Sequence, residues 1–253
     1  MTMRGISSPG SVEEHIQDTR AWLDSIGATH AVLSGSMEIL ERYTAADPRF
    51  IPGYQDGPEL IPVEEFEAAI QSGKIRIFGE VVGIYQGRSL NHPLYAPYLE
   101  LCEKYGIPVA YHTGGGPPMT QYRCCPDFRI SLGDPFLIED VLVRYPNLKI
   151  YLMHSGEVYF EKALRLMLMY PKVHSDLGVL LWVDESTMDY GEQFLRKAKK
   201  YGLLDRVMFG SDQMMWPAAI GRSVETLQSM DFLTEEDRRL ILYENARRFL
   251  ELP

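Results

Sequence analysis

Apolar positions along the chain switch repeatedly between helical spacing and the short continuous runs of buried strands. Val12, Ile16, Thr19, Leu23 and Ile26 recur three or four residues apart behind Ser11, and Gly27 follows them. With Glu14 three residues after Ser11, this predicts an amphipathic helix with a capping box and a glycine stop. Thr29 to Leu33 is a β-branched run ending in Ser34-Gly35-Ser36, a strand and turn. Residues 37–47 read as a short helix stopped at Asp47-Pro48. Phe50 to Tyr54 reads as a short strand interrupted by Pro52, and Pro62 introduces a helix to about Gln71.

Lys74 to Val82 (KIRIFGEVV) is a strand containing Glu80. A helix from Leu94 to Tyr105 is closed by Gly106, and Ile107 to His112 (IPVAYH) is a strand ending on a histidine. Asp134-Pro135 places an N-cap before a proline and opens a helix to about Tyr145. Leu148 to His154 (LKIYLMH) again ends a strand on a histidine. A helix over 158–170, a short strand over 172–176 and a helix over 187–201 follow. Arg206 to Asp212 is the last strand, and Thr234 with Asp237 caps a final helix carrying Leu240, Tyr243, Ala246 and Leu250 on one face.

Strand and helix alternate without a linker, which predicts an α/β fold of parallel strands with helices outside. The expected architecture is a single domain over residues 1–253, a (β/α)8 TIM-barrel-like fold that lacks or alters strand 1. Seven strands are clear, the chain begins with a helix, and Met3 to Ile6 is too short and polar to serve as the eighth. Either an upstream segment carries that strand or the protein has lost it. A doubly wound open sheet is the competitor, but no strand–helix turn carries G-x-G-x-x-G or a P-loop. Open barrel edges would need covering, so a homodimer is expected.

Composition narrows the partners. A formal charge of −10 disfavours nucleic acid, leaving a small molecule as the expected substrate. No apolar run is long enough to span a bilayer, and the first ten residues lack the apolar stretch of a signal peptide, so a cytoplasmic protein without a membrane partner is expected. Three cysteines, Cys102, Cys124 and Cys125, argue against both a disulfide framework and a zinc knuckle, and the adjacent pair reads as buried thiols.

Glu80, His112, His154 and Asp212 each fall at or near the C-terminal end of a strand. In a parallel barrel such ends share one face. Two imidazoles and two carboxylates there suit a divalent metal, which brings bound water toward a pKa of about 7. A carboxylate beside it can take that proton and return it to a leaving group. His15 and His30 read as structural or surface groups; His92 lies in a strand-end loop, and Asp176 could orient an imidazole. The connection Thr113 to Gly133 has the length of a lid or binding loop. It holds Gly114-Gly115-Gly116, then Tyr122 and Arg123, which could contact substrate, Arg123 through a carboxylate. Trp182, Met214, Met215 and Trp216 suit either apolar walls or core packing.

The segments YHTGGGPP (Tyr111 to Pro118), MHSG (Met153 to Gly156), FGSDQMMWP (Phe209 to Pro217) and ENARRFL (Glu244 to Leu250) resemble the amidohydrolase superfamily. The resemblance is to its amidohydrolase-related branch, which includes aminocarboxymuconate-semialdehyde decarboxylase-like enzymes. It implies His112 as a metal ligand, His154 as ligand or water-activating base, Asp212 as ligand and proton shuttle, and Glu80 as ligand or bridge. Zinc is the implied metal, with manganese as the alternative. The H-x-H that marks strand one in the superfamily is nowhere in this sequence. The strand-end residues and the resemblance give, as the first reading, a metal-dependent hydrolase of a small amide, ester or lactone. A non-oxidative decarboxylase is the second reading, and a degenerate non-catalytic barrel, which follows from the missing H-x-H, the third.

Overall fold

The computed structural model describes residues 2–253, and Met1 lies outside them. The chain forms two compact units: one takes the residues up to Ala31 together with Ser175–Pro253, the other Val32–His174.

The first unit opens with an antiparallel ribbon of β1 (Thr2–Met3) and β2 (Ile6–Ser7). These two strands form a sheet of their own, so Met3 to Ile6 supplies no barrel strand. Ile6 packs instead with Trp182, Trp216 and Ala219. Helix α1 (Val12–Ser25) starts where Ser11 Oγ accepts from the Glu14 amide at 3.2 Å, a cap of about 1 kcal/mol. The expected capping box forms only in half: Glu14 accepts from the Gly10 amide, one residue early, at 2.7 Å. Ile16, Thr19 and Leu23 form the buried face of α1.

The second unit runs β3 (Ala31–Gly35), α2 (Met37–Ala46), β4 (Phe50–Tyr54), α3 (Val63–Gln71), β5 (Ile77–Val81), α4 (Ala96–Tyr105) and β6 (Val109–His112). Then come α5 (Thr120–Arg123), α6 (Glu139–Arg144), β7 (Ile150–Met153) and α7 (Phe160–Met169). β4, β5, β6 and β7 are parallel neighbours in that order. Every residue of these four strands is buried, which is why they read as continuous apolar runs rather than alternating ones. Aromatic rings lock the helices onto the sheet. Phe66 of α3 lies 5.1 Å from Phe78 of β5 and 5.2 Å from Tyr98 of α4, each pair adding roughly 0.5–1.5 kcal/mol beyond its buried area.

β5 carries a bulge. Phe78 pairs with Val109 but Val81 pairs with Tyr111, so β5 spends one extra residue at Gly79-Glu80. Strict alternation would put Glu80 on the Phe78 face, toward the helices. The bulge turns it to the side of His112. Gly79 (φ +149°) makes this possible, because a Cβ there would lie 2.3 Å from Ala110 Cβ. Gly79→Ala is therefore expected to destabilise the fold by at least about 1–3 kcal/mol, the usual cost of overpacking. A denaturant midpoint equal to that of the parent would refute this.

The chain then supplies β8 (Val173–Asp176), α8 (Glu185–Tyr201), β9 (Val207–Met208), α9 (Ala219–Ser229), α10 (Glu235–Arg239) and α11 (Asn245–Phe249). β8 and β9 pair in parallel through Ser175 with Val207 and Asp176 with Met208. Buried Asn245 fixes the start of β9 by donating to the Leu204 and Val207 carbonyls, both at 2.7 Å. Thr234 and Asp237 form a complete capping box on α10.

Three expectations need correction. The last strand stops at Met208, not Asp212: Phe209 turns its amide to the Ile241 carbonyl, and Asp212 has φ +44°. Helix α9 has no counterpart in the sequence reading, because Pro217 and Gly221 look like loop residues and no side chain caps its start. Gly221 is small for packing: a Cβ would lie 2.2 Å from Trp22 of α1. Cys124 and Cys125 are not buried thiols; they form a disulfide, with Cys124 exposed and Cys125 half-buried. Among the described residues no helix is long and apolar enough to cross a membrane.

Candidate metal centre

Adjacent parallel strands bring three predicted residues together. β5 delivers Glu80, β6 ends on His112, and His154 follows β7 directly. Glu80 Oε1 lies 2.7 Å from His112 Nδ1 and 3.1 Å from His154 Nε2; the two nitrogens are 3.2 Å apart. The three residues are 9%, 6% and 3% exposed, so water screens them little.

The tautomer of His112 follows from its other nitrogen. Nε2 lies 2.7 Å from the Gly115 carbonyl, an acceptor, so Nε2 must carry a proton. In neutral imidazole Nδ1 then presents a lone pair to the Glu80 carboxylate. Two lone pairs at that distance repel unless a cation lies between them. Either a proton or a metal ion meets the need. Burial alone would raise the Glu80 carboxyl, but hydrogen bonds and charge from the two imidazoles outweigh it and hold the group below the usual carboxylate range.

This donor set fits a divalent ion. One ligand atom from each residue lies within 4.8 Å of the others. Two imidazole nitrogens and one carboxylate oxygen suit zinc, and three protein ligands leave coordination positions open, as catalytic sites require. Against the roughly 3.3 Å between neighbouring ligands on a tetrahedral zinc with bonds of about 2.0–2.1 Å, the 3.1 and 3.2 Å separations nearly match, and the 2.7 Å between Glu80 and His112 is shorter.

A surrounding layer fixes these ligands. Glu157 accepts from the Gly115 amide at 2.5 Å, so the carbonyl that orients His112 is itself held. Thr113 Oγ1 donates to the Met153 carbonyl at 2.5 Å and accepts from the Gly156 amide at 2.9 Å, tying the end of β6 to the end of β7. These bonds stabilise a costly backbone: His154, Ser155, Gly156 and Glu157 have φ of +63°, +48°, +81° and +46°. The triple glycine has a steric reason here. A Cβ on Gly114 would lie 2.5 Å from that of Glu157. Tyr85 packs its ring 5.7 Å from His112 and 5.4 Å from Phe128, which anchors the long connection.

Asp56 also escaped the sequence reading. It follows β4, is 3% exposed, and accepts from Tyr95 Oη and the Val82 amide, both at 2.5 Å. Burial pushes its carboxyl up to about 6, against the pull of those two hydrogen bonds and Arg88, with the Glu80 charge adding to the rise. A carboxyl raised on folding stabilises the fold below its unfolded pKa and loses that contribution as pH climbs through the folded value. Stability should thus fall by on the order of 3 kcal/mol between about pH 4 and 6 from this group. Asp56→Asn should flatten that part of the curve, measured by urea unfolding across pH; an unaltered slope would remove Asp56 as the cause.

Tyr122 and Arg123 are exposed on α5, Tyr122 to 76%. Asp212 and Trp216 belong to the first unit. Trp216 is 5% exposed in its core, with its ring 6.0 Å from Trp182. Asp176 is buried and accepts from the Gly178 amide at 3.0 Å. His92 caps the turn Pro93–Tyr95, and His174 bonds the Lys172 carbonyl at 3.1 Å.

Comparison with known proteins places these features in context. The amidohydrolase family model matches residues 21–252. The protein fluG of Emericella nidulans is 24% identical over 160 residues, covering 57% of this chain but 17% of that protein, so the chain spans about a sixth of this curated relative. An uncharacterised TIM-barrel protein of Bordetella bronchiseptica superposes with TM-score 0.68 at 20% identity, over 95% of this chain and 90% of that one. A probable 2-pyrone-4,6-dicarboxylic acid hydrolase of Acinetobacter baumannii, solved with citric acid, gives 0.64 at 16% identity, over 93% and 88%. A 5-carboxyvanillate decarboxylase of Novosphingobium aromaticivorans, solved with manganese, gives 0.65 at 16% identity, over 97% and 86%. The likeness shows the expected fold, a TIM barrel.

Proposed function

We propose, for a chain that belongs to the amidohydrolase family, metal-dependent hydrolysis of a small ester, lactone or amide. The observation that carries this reading is the convergence of Glu80, His112 and His154 on one point, with the His112 lone pair aimed inward by the Gly115 carbonyl. A divalent metal, zinc or manganese, would supply Lewis-acid polarisation and acidify water toward a pKa of about 7. Glu80 and His112 would hold it, and His154, buried beside them, would serve as the third ligand or as the base that activates water. Asp212 is assigned as the group that takes the proton and returns it to the leaving atom. Tyr122 and Arg123, exposed on α5, are assigned to substrate, whereas Trp216 packs in the core with Trp182.

Decarboxylation of an aromatic or enoic acid is the second reading, favoured by the likeness to 5-carboxyvanillate decarboxylase. The same ligands would orient the acid, and a protein acid would protonate the carbon that loses carbon dioxide. Metal-loaded protein incubated with lactone and hydroxybenzoate panels separates the two. Release of a hydroxy acid without carbon dioxide is expected; carbon dioxide release would defeat hydrolysis. Protein that retains no zinc or manganese after loading would defeat both.

A further inference from the structure

The segment Ser211 to Met214 has an unusual course for non-glycine residues, with φ of +44° at Asp212 and +48° at Met214. Such conformations persist only when their surroundings over-determine them. The bonds that do so come from two sides. On one, the Ser211 carbonyl accepts from the Val179 amide at 3.2 Å and from Trp182 Nε1 at 2.7 Å. On the other, helix α1 reaches the segment with two side chains. His15 Nε2 lies 2.9 Å from the Met214 carbonyl, and Gln213 Nε2 donates to Thr19 Oγ1 at 3.0 Å. His15 and Thr19 share one helix face, at positions i and i+4, and meet at 3.4 Å through Nδ1.

The directions of these bonds agree with one another. The Met214 carbonyl only accepts, so His15 Nε2 carries a proton, and in the neutral imidazole, which burial favours, Nδ1 is left as an acceptor. Thr19 then donates its hydroxyl hydrogen to Nδ1 and accepts from Gln213 with its lone pair. One neutral imidazole thus ties residues 213 and 214 to α1, and Asp212 lies between that tie and the fixed Ser211 carbonyl.

We propose that His15 is a positioning residue for Asp212. It holds the backbone of the 211–214 segment so that the carboxylate keeps one orientation. The role rests on the reading of Asp212 as the proton-transferring group. The test compares His15→Leu, which has no donor, with His15→Gln, which keeps an N–H at similar reach. Amide exchange is measured over 211–216, and turnover of dihydrocoumarin by zinc-loaded protein is measured in the presence and absence of Asp212→Asn. His15→Leu should speed exchange in the segment about tenfold, the size expected for one lost hydrogen bond. It should lower kcat by about 10- to 100-fold, as misplacement of a reacting group does. His15→Gln should recover most of both, and the leucine change should add nothing once Asp212 is Asn. Unchanged exchange in His15→Leu overturns the proposal, as does an equal kcat loss in the Asp212→Asn background. If Asp212→Asn alone leaves kcat intact, the reading of Asp212 fails and the link to it fails with it. The exchange result then still decides whether His15 holds the segment.

Discussion

Asp212→Asn is expected to lower kcat by about 10³-fold, within the usual range for loss of a general acid–base group. The change is nearly isosteric and keeps one oxygen acceptor, but the amide cannot take a proton. Its neighbours should keep their places: the Ser211 carbonyl stays bonded to Trp182 Nε1, and the Met214 carbonyl to His15. Melting temperature should therefore shift little while turnover collapses. Excess zinc in the assay keeps reduced metal affinity from mimicking a chemical defect. A variant with parental kcat would take Asp212 out of the mechanism, whatever the fate of the metal centre.

How far the site could be read from sequence depends on which physical rule places each residue. His112 and His154 were legible because each terminates an apolar run, and parallel strands bring such ends to one face. Glu80 was legible as a strand carboxylate, but its aim was not. Plain alternation turns it toward the helices, and only the bulge at Gly79 brings it to His112. Asp56 was missed because Asp-Gly reads as a turn, and nothing local foretells the Tyr95 hydroxyl arriving from 39 residues away. Glu157 was missed for the same reason: its partner, the Gly115 amide, is 42 residues distant. Groups that orient ligands act through long-range backbone contacts, which have no sequence period.

The fold followed a similar division. Helix starts with their own capping chemistry, at Ser11, Ser36, Asp184 and Thr234, are local events. α9 begins without a side-chain cap, and its glycine serves a tertiary contact with Trp22. The short β9 reflects the same limit, since Phe209 has strand character but gives its amide to the Ile241 carbonyl, in the π-helical turn Leu240–Glu244 between α10 and α11. The disulfide of Cys124 and Cys125 lay beyond any counting argument, because adjacent cysteines have no spacing to interpret.

His112→Ala is expected to lower metal affinity by more than about 100-fold, since even partners that only orient a ligand typically cost 10–100-fold. It should also destabilise the metal-free protein. Removing the imidazole leaves Glu80 as a buried carboxylate with one of its two histidine partners gone, and breaking a buried charge pair costs about 3–5 kcal/mol. Glu80→Gln separates the two effects. The glutamine amide can donate to His112 Nδ1, so the metal-free fold should stay near parental stability. The anionic oxygen is nevertheless gone, so metal binding should weaken as in His112→Ala. Chelator-competition titrations and urea unfolding in EDTA read these quantities independently. Loss of affinity in both variants, with loss of metal-free stability in His112→Ala alone, would assign the cluster to a cation. Parental metal content in His112→Ala would instead leave Glu80, His112 and His154 as a buried hydrogen-bond network that holds three strand ends together.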